Sequence, residues 1–480
     1  MGVVSTQNKS KPKSVAIVGG GLVGSLAACF LGRRGFEVHL FEYREDIRTA
    51  EHVMGKSINL AMSVRARAAL KSVGLEDVMI KNHGIPMRAR MIHGTDGSLR
   101  EIPYDARTKQ CIYSVSRRYL NEILLTATEK YNNVHLHFNQ KLININFNDG
   151  EITLQNTLDK STTNSRFDFV IGSDGAYSMV RRHMMKQAMF DYSQTYIKHG
   201  YMELCIPPDK EGKFAMPENF LHIWPRGQFM MIALPNQDRS WTVTLFMPFE
   251  KFSMLNSPEK LHTFFSEYFP DSIPLIGKDR LTKDFFKGGP QPLVSVKCSP
   301  YHVRDKALLI GDSAHAMVPF YGQGMNAGFE DCSLLDDLIE KFGDENMENV
   351  FKEFTEKRVD DAHAICDLAM YNYIEMRDLV NKKSYRLRKT FDDFLFWIAP
   401  QVWVPLYNSV SFTRMSYRKC IENRAWQDKV LSKAIFTLSI GGALSIFGAA
   451  FYFGKKSSFN FPVEKYFDKA VKSVGLVWPY

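Results

Sequence analysis

One pattern near the start of the chain restricts the fold more than any other feature of the sequence. The β-branched run Ser14–Val18 leads directly into a glycine-rich turn, and a helical segment follows. Gly19, Gly21 and Gly24 have the GxGxxG spacing, in which the glycines permit a tight turn, the approach of a pyrophosphate and close helix–strand packing. The sequence therefore predicts a dinucleotide-binding βαβ unit at residues 14–42.

An acidic residue completes this pattern. A second strand ends at Glu42, 18 positions after the last glycine of the turn. A carboxylate at this point suits the hydroxyls of an adenosine ribose, and it favours a free 2′-hydroxyl over a 2′-phosphate. FAD or NAD is therefore expected here rather than NADP. The pattern alone does not separate FAD from NAD.

Two later stretches also read as strands that end in Gly and Asp. Residues 167–178 contain an apolar strand followed by Gly172, Asp174 and Gly175, and residues 308–331 contain a strand, the Gly311-Asp312 turn, a loop rich in Pro and Gly, and a helix. In open α/β sheets, ligands bind beyond the carboxyl ends of the strands. Both stretches are therefore expected beside the dinucleotide.

Two arginines stand in patterns that leave their roles open. Residues 84–93 alternate like one strand, which would place Arg88 and Arg90 on the same face. From the pattern alone, a solvated edge strand is the favoured interpretation. Ser116 is a suitable N-cap for a helix, so Arg117 would lie in the first turn, where a cation opposes the helix dipole. An anion is expected to compensate the charge of Arg117.

The basic charge of the chain is local. The net charge is +9, but residues 377–480 hold 17 Lys and Arg against 7 Asp and Glu, and the preceding residues hold 44 against 45. This distribution argues against a nucleic-acid surface and favours a local anionic neighbour such as lipid headgroups. The seven cysteines are scattered and form no CxxC motif, so a disulfide framework or a metal site is not expected, and a reducing compartment fits better.

The C-terminal region predicts a membrane anchor. Residues 434–454 carry no charge and are bounded by Lys433, Lys455 and Lys456. At about 1.5 Å per residue, a helix of this length spans roughly the 30 Å hydrocarbon core. A buried core helix is the alternative, but the flanking lysines favour a transmembrane tail anchor. Residues 1–13 lack the apolar core of a secretory signal, so the body of the protein is expected in the cytosol.

These patterns predict an α/β protein with a Rossmann-like dinucleotide-binding domain, which the family resemblance described below implies to be an FAD-binding domain, and an inserted, mainly antiparallel β-sheet domain for the substrate. C-terminal helices and a transmembrane helix would follow. The predicted divisions are a flexible N-terminus (1–13), the FAD-binding domain (14–189 and 301–345, with strand-rich excursions), the β-sheet domain (190–300), a helical region (346–432), the anchor (433–456) and a tail (457–480).

The order of the three glycine motifs along the chain is similar to that found in one protein family. The chain is similar to the single-component, FAD-dependent aromatic hydroxylases related to p-hydroxybenzoate hydroxylase. The resemblance covers residues 14 to about 430, and the stretches that carry it are 84–93, 199–204, 221–226, 322–332 and 370–377.

The resemblance implies the residues of two sites. The FAD site would comprise Gly19, Gly21, Val23, Gly24, Phe41, Glu42, Tyr43, Arg44, Ala61, Arg117, Leu142, Asp312, Met325 and Asn326. The substrate site would comprise Arg90, Tyr104, Pro319, Phe320, Asn372 and Tyr407. The resemblance changes the interpretation of Arg90, because a planar guanidinium can donate two parallel hydrogen bonds to a substrate carboxylate. Arg88 has no such support and is expected at the surface.

The resemblance also implies the chemistry. NADPH would reduce the flavin, O₂ would add to give a C4a-hydroperoxide, and the substrate L-kynurenine would be hydroxylated to 3-hydroxykynurenine. The protein would orient the substrate and exclude water, so no catalytic side chain is predicted. His315 is expected to be structural. The mitochondrial outer membrane is the implied location.

Two positions depart from the family's pattern, and two other functions stay open. Tyr321 stands where a Phe is usual, and Met179 where a small polar residue is common. The alternatives are a flavin hydroxylase or epoxidase of another ring substrate and a membrane-anchored flavoprotein without turnover.

Overall fold

The computed structural model describes residues 12–50, 59–105 and 108–454, apart from the side chains of residues 438–444 and 446–454 in the last helix. Its strands are β1 (Ser14–Val18), β2 (Glu37–Phe41), β3 (Asn59–Met62), β4 (Ile85–Met87), β5 (Ala89–His93), β6 (Leu99–Pro103), β7 (Ile112–Ser116), β8 (Val134–His137), β9 (Gln140–Asn146), β10 (Glu151–Asn156), β11 (Thr162–Arg166), β12 (Phe169–Gly172), β13 (Asp191–Ile206), β14 (Phe220–Pro225), β15 (Met230–Pro235), β16 (Trp241–Pro248), β17 (Gln291–Ser299), β18 (His302–Val303) and β19 (Ala307–Leu309).

The α-helices are α1 (Leu22–Arg33), α2 (Val64–Ser72), α3 (Glu76–His83), α4 (Arg117–Thr128), α5 (Met179–Met184), α6 (Phe249–Met254), α7 (Pro258–Tyr268), α8 (Ser272–Ile276), α9 (Lys278–Lys287), α10 (Asp312–His315), α11 (Gly324–Phe342), α12 (Met347–Arg377), α13 (Lys383–Ile398), α14 (Leu406–Phe412) and α15 (Tyr417–Gly454). Short 3-10 helices are Pro319–Tyr321, Asp344–Asn346 and Leu379–Asn381.

A six-stranded sheet forms the centre of the first layer. Its order is β18-β19-β12-β1-β2-β8, and all neighbours are parallel except β18 and β19. The register pairs Val18 with Phe41 and with Gly172, and Gly172 with Leu309, so four strands end at the same level. The glycine turn, Glu42 and the 311–326 loop therefore meet at one edge of the sheet, as the sequence predicted.

A seven-stranded sheet forms the second layer, in the order β17-β13-β16-β15-β14-β5-β6. Because successive side chains alternate between the two faces of a strand, each strand contributes to two cores. Ile223, Met230 and Phe246 pack toward Phe320, whereas Trp224, Met231 and their neighbours pack against α7 and α9 on the other face. The first of these faces borders the candidate substrate pocket.

The segment 84–93 differs from the single strand that its alternation predicts. It breaks at Arg88, so β4 pairs with β7 in a small three-stranded sheet, while β5 joins the seven-stranded sheet beside β14. Arg88 is exposed and Arg90 is buried, so the two do not share a face and the solvated edge strand is wrong for Arg90. The large sheet also takes β5 and β6 from residues that the predicted division assigned to the FAD-binding domain.

Another local prediction is confirmed. Ser116 caps α4 by accepting a hydrogen bond from the Tyr119 amide. Asp312, predicted in a turn, instead begins the short helix α10.

None of the helices in the part of the chain that the structure describes has an apolar stretch sufficient to cross a membrane. Most of the predicted anchor, residues 433–456, lies outside the residues whose side chains are described.

Candidate active site

The glycine turn leaves open space where α1 begins. A Cβ on Gly24 would lie 1.9 Å from the Gly19 carbonyl oxygen, and Gly19 has a φ of +107° with the Ser173 carbonyl 2.5 Å from its own Cβ position. These two glycines are therefore required by the backbone itself. Gly21 differs, because no atom lies within 4 Å of its Cβ position. The first amide groups of an α-helix have no partner inside the helix, so the start of α1 beside this space suits a pyrophosphate.

The residues at the end of β2 border the same turn. Glu42 accepts hydrogen bonds from the Gly20 amide (2.8 Å) and the Arg44 amide (3.1 Å), which fix its carboxylate beside the glycines. Arg44 lies over the Tyr43 ring at 4.8 Å, and both side chains are exposed. Phe41 is buried, and its backbone carbonyl accepts a hydrogen bond from the Gly19 amide.

The 311–326 loop closes the site from the other side. Val23 packs between two glycines, since a Cβ on Gly311 or Gly328 would lie 3.0 or 2.6 Å from its methyl groups. The Asn326 amide ties this loop to β3, because its oxygen accepts from Ser63 (2.8 and 2.9 Å) and its nitrogen donates to the carbonyl of Ala61 (2.8 Å). The structure thus brings Val23, Ala61, Asp312, Met325 and Asn326 to the edge that holds the glycine turn.

The positions of two residues predicted to bind FAD, Arg117 and Leu142, relate less directly to the glycine turn. Arg117 is the exposed first residue of α4, and its charge opposes the burial and the Glu203 charge that raise the pKa of Tyr201. Leu142 lies in β9 with its side chain in the core. The assignment of both residues to FAD stays a prediction, as does that of the other named site residues.

A buried ion pair anchors the second site. Arg90 Nη1 donates to Glu375 Oε1 at 2.9 Å, and Nη2 lies 3.5 Å from Asn372 Oδ1. Nε has no hydrogen-bond partner among the described residues although it is buried. Burial alone would lower the pKa of Arg90, but the Glu375 carboxylate raises it well above its usual value. The guanidinium is therefore charged, and among the described residues its Nη2 donates only a long hydrogen bond to Asn372, whereas its Nε donates none.

Three tyrosines stack around this guanidinium. Tyr407 lies parallel to Tyr104, with ring centroids 5.0 Å apart, and parallel to Tyr321 at 5.6 Å. Arg90 Cζ lies 4.5 Å from the Tyr407 centroid. Burial raises the pKa of both Tyr104 and Tyr321, so both phenols are neutral. Tyr321 therefore contributes its aromatic ring to this stack, and not a charge.

The 3-10 turn Pro319–Tyr321 connects the two sites. Phe320 stacks on Tyr373 at 3.8 Å, and its carbonyl accepts a 2.7 Å hydrogen bond from Asn372 Nδ2. Asn372 thus contacts both Phe320 and Arg90, while Pro319 is exposed at the start of the turn. The loop that closes the dinucleotide site is therefore also fixed to the Arg90 pocket.

Glu375 and Tyr385 also belong to the Arg90 pocket, although no sequence pattern assigned a role to either residue. The Tyr385 hydroxyl donates to Glu375 Oε1 at 3.0 Å, and both residues line a cavity of about 70 Å³ with Arg90, Tyr104 and Tyr407. The position of Glu375, three residues after Asn372, was the available signal, because residues at this spacing share one face of a helix.

His315 belongs to a buried network. Its Nε2 lies 2.6 Å from Asp331 Oδ2, and Asp331 also accepts from the Gly311 amide (2.8 Å) and from Arg358 Nε (2.6 Å). Burial alone would raise the pKa of Asp331, but the charges of His315 and Arg358 hold it below its usual value. His315 therefore holds the loop through Asp331, in agreement with the structural role predicted for it.

Comparisons with known proteins agree with this architecture. Residues 13–369 match the family model described as FAD binding domain. Kynurenine 3-monooxygenase of Anopheles gambiae is 61% identical over 92% of this chain and 90% of its own length. Kynurenine 3-monooxygenase of Sus scrofa is 51% identical over 90% of this chain and 91% of its own length.

Solved structures share the fold. The tetrameric form of 2-methyl-3-hydroxypyridine-5-carboxylic acid oxygenase superposes with a TM-score of 0.62 at 19% identity, over 77% of this chain and 93% of its own. The p-nitrophenol 4-monooxygenase PnpA of Pseudomonas putida superposes with a TM-score of 0.60 at 17% identity, over 81% of this chain and 94% of its own.

The chain therefore belongs to the family of flavoproteins built on this FAD-binding domain, and it is an FAD-dependent monooxygenase. Kynurenine 3-monooxygenases are among its relatives at 50% identity or more.

Proposed function

We propose that the protein hydroxylates L-kynurenine to 3-hydroxykynurenine, with bound FAD and with NADPH and O₂ as co-substrates. The relatives named kynurenine 3-monooxygenase support the substrate. The observation that carries the proposal is the buried Arg90, which lies against Asn372 and the Phe320 turn.

The geometry of Arg90 suits the carboxylate of an amino acid. Glu375 occupies Nη1, so the Nε–Nη2 edge is the part of the fork that can receive two carboxylate oxygens. The Tyr104 ring centroid lies 6.0 Å from Arg90 Cζ, and its neutral hydroxyl can donate a hydrogen bond.

The other residues position the aromatic ring. Phe320 is fixed by Tyr373, Phe246 and Asn372, and the same turn leads within a few residues to Asn326 at the dinucleotide site. FAD would be held by the glycine turn, Glu42 and the 311–326 loop, and when bound it supplies the oxygen-transfer chemistry. The apolar face of the large sheet excludes water around the ring, which protects reactive oxygen species from solvent.

The direct test uses the full-length holoenzyme with NADPH and L-kynurenine. The expected result is kynurenine-dependent NADPH oxidation, with 3-hydroxykynurenine formed in near equal amount and little H₂O₂. NADPH oxidation without stimulation by kynurenine, or with peroxide as its only product, would refute the proposal.

We also propose that the protein attaches to the mitochondrial outer membrane through residues 433–456, with its catalytic part in the cytosol. The uncharged run 434–454 supports attachment, and so does the basic surplus of residues 377–480. A further support is an apolar surface on and after α13, whose members are half or more exposed: Leu387, Phe391, Phe394, Trp397, Ile398 and Val402. Exposed apolar patches of this kind mark interaction or membrane surfaces.

A further inference from the structure

Three histidines and a glutamate lie together at one edge of the six-stranded sheet. Glu37 and His39 belong to β2, and His135 and His137 belong to the edge strand β8. The parallel register pairs His39 with His135, and residues two apart on a strand point to the same face. The four side chains are therefore neighbours on one face, outside the two sites described above.

Two imidazoles converge on one carboxylate oxygen. His135 Nε2 lies 2.6 Å from Glu37 Oε1, and His39 Nε2 lies 4.0 Å from the same oxygen. The potential ligand atoms of Glu37, His39 and His135 all lie within 4.8 Å of one another. In a tetrahedral zinc site with bonds of about 2.0–2.1 Å, ligand atoms are roughly 3.3 Å apart. Small rotations of the side chains would therefore bring the three groups around one ion.

His137 forms the kind of hydrogen bond that orients a metal-binding histidine. His39 Nδ1 lies 3.0 Å from His137 Nε2, so one proton is shared between these two nitrogens. When Nδ1 of His39 carries that proton, its Nε2 presents a lone pair toward Glu37 and His135. A hydrogen bond of this kind fixes the tautomer of ligating histidines in metal sites.

The same ring packing holds His137 in place. It stacks on Phe41, with centroids 4.8 Å apart, and on His39, with centroids 5.3 Å apart.

We propose that Glu37, His39 and His135 form a binding site for a divalent transition-metal ion, with Zn²⁺ as the type case. Two imidazole nitrogens and one carboxylate oxygen fill three positions of a tetrahedron, and water completes it. The side chains of Glu37, His39 and His135 are 40%, 28% and 42% exposed, so an ion can enter from solvent.

The site would also join the strands that present Glu42. The Glu42 amide donates to the His137 carbonyl at 2.9 Å, so β2 and β8 remain paired up to the dinucleotide edge. A metal ion across these strands would stabilise the edge on which Glu42 stands. The sequence did not predict a metal site, because His135 lies 98 residues after Glu37 and the ligands follow no compact motif.

The test is zinc binding by the full-length holoenzyme, prepared without a histidine tag. Zn²⁺ is titrated in competition with a chromophoric chelator, and Co²⁺ is used as a spectroscopic probe of tetrahedral geometry. The ligand variants are His39→Gln and His135→Gln, and a third variant, His137→Gln, removes the hydrogen bond to His39. The control is His302→Gln, which alters a histidine on β18 at the opposite edge of the same sheet, bonded to Thr355 at 2.7 Å.

We expect one Zn²⁺ per chain in the wild type and in His302→Gln. Affinity should fall at least tenfold in His39→Gln and His135→Gln, and roughly 10- to 100-fold in His137→Gln, which leaves the ligands in place. Equal affinity in all variants, or no stoichiometric binding by the wild type, would overturn the proposal. FAD content and far-UV circular dichroism verify folding, and if His39→Gln does not fold, the more exposed His135 decides the result.

Discussion

Arg90 and Glu375 form an ion pair of 2.9 Å across 285 residues of sequence, inside a pocket where both side chains are largely buried. This pair neutralises one end of the Arg90 guanidinium and leaves the other end available. It also fixes α12 to β5, so the shape of the pocket depends on contacts between two layers of the fold.

Replacement of Arg90 by Ala should reduce kcat/KM for kynurenine by about 2–4 kcal/mol, because a desolvated charge partner of the substrate is lost. This corresponds to a loss of roughly 30- to 900-fold. The matched control is Arg88→Ala, since Arg88 lies two residues away and is exposed. Steady-state kinetics of both variants measure the effect. A loss below threefold in Arg90→Ala would remove this residue from the substrate site.

Tyr321→Phe should leave kcat/KM within about threefold of the wild type. The ring of Tyr321 stacks on Tyr407, and a Phe ring would preserve that contact. The ratio of 3-hydroxykynurenine to H₂O₂ should also be unchanged. A marked rise in peroxide would show instead that the hydroxyl holds the substrate or excludes water, and Tyr321→Leu provides the comparison in which the ring itself is lost.

Gly24→Ala and Gly21→Ala should separate the stability of the fold from the binding of FAD. A Cβ on Gly24 would lie 1.9 Å from a backbone oxygen, so this variant should lose about 1–3 kcal/mol or more of unfolding free energy. A Cβ on Gly21 meets no protein atom within 4 Å. Gly21→Ala should therefore keep the stability of the apoprotein and lose FAD affinity.

Urea unfolding of the apoproteins and fluorescence titration with FAD measure these two effects. If Gly21→Ala bound FAD as tightly as the wild type, the space beside Gly21 would not hold the pyrophosphate.

The stability of the protein should fall as the pH decreases from about 6.5 to about 4. Burial lowers the pKa of His222 to about 4, and its nitrogens bond to His93 (2.8 Å) and the Pro217 carbonyl (2.9 Å). The unfolded chain takes up the proton near pH 6.5, whereas the folded chain resists it until about pH 4, so the unfolded state gains stability in this window. The contribution of His222 is on the order of 3 kcal/mol.

Denaturant midpoints between pH 4 and 7 measure this slope. The dependence of the midpoint on pH should become weaker in His222→Gln and should be retained in the control variant His262→Gln. His262 lies on α7, where its ring is bonded to Thr282 at 2.8 Å. Equal slopes in both variants would show that other groups cause the pH dependence.

A chain that ends after Lys433 should be released from membranes and remain active. The truncation keeps the bonds that fix α15 to the body, namely Asp428 to Arg388 (2.6 Å) and Gln427 to the Val404 carbonyl (2.8 Å). Cell fractionation and activity of the soluble fraction measure the result. If the folded, truncated protein still sedimented with membranes, the exposed surface of α13 would be the attachment site, and Trp397→Glu would test it.

Local patterns were sufficient for the dinucleotide edge. The spacing of Gly19, Gly21 and Gly24, and the distance to Glu42, describe a turn whose geometry is set by neighbours in the chain. The N-cap at Ser116 was predictable for the same reason. In contrast, Arg88 and Arg90 looked equivalent, because alternation along a strand does not show that the strand breaks and its halves join different sheets.

The sequence by itself determined the class of fold, the cofactor-binding turn and, through its resemblance to a family, the reaction to be expected. These follow from contacts between residues that are close in the chain or from long matching motifs. Only the tertiary structure decided that Arg90 pairs with Glu375, that Asn372 joins Phe320 to Arg90, and that His39 meets His135. Each of these contacts joins segments about 50 to nearly 300 residues apart, and their partners are selected by sheet order and burial, which no local pattern specifies.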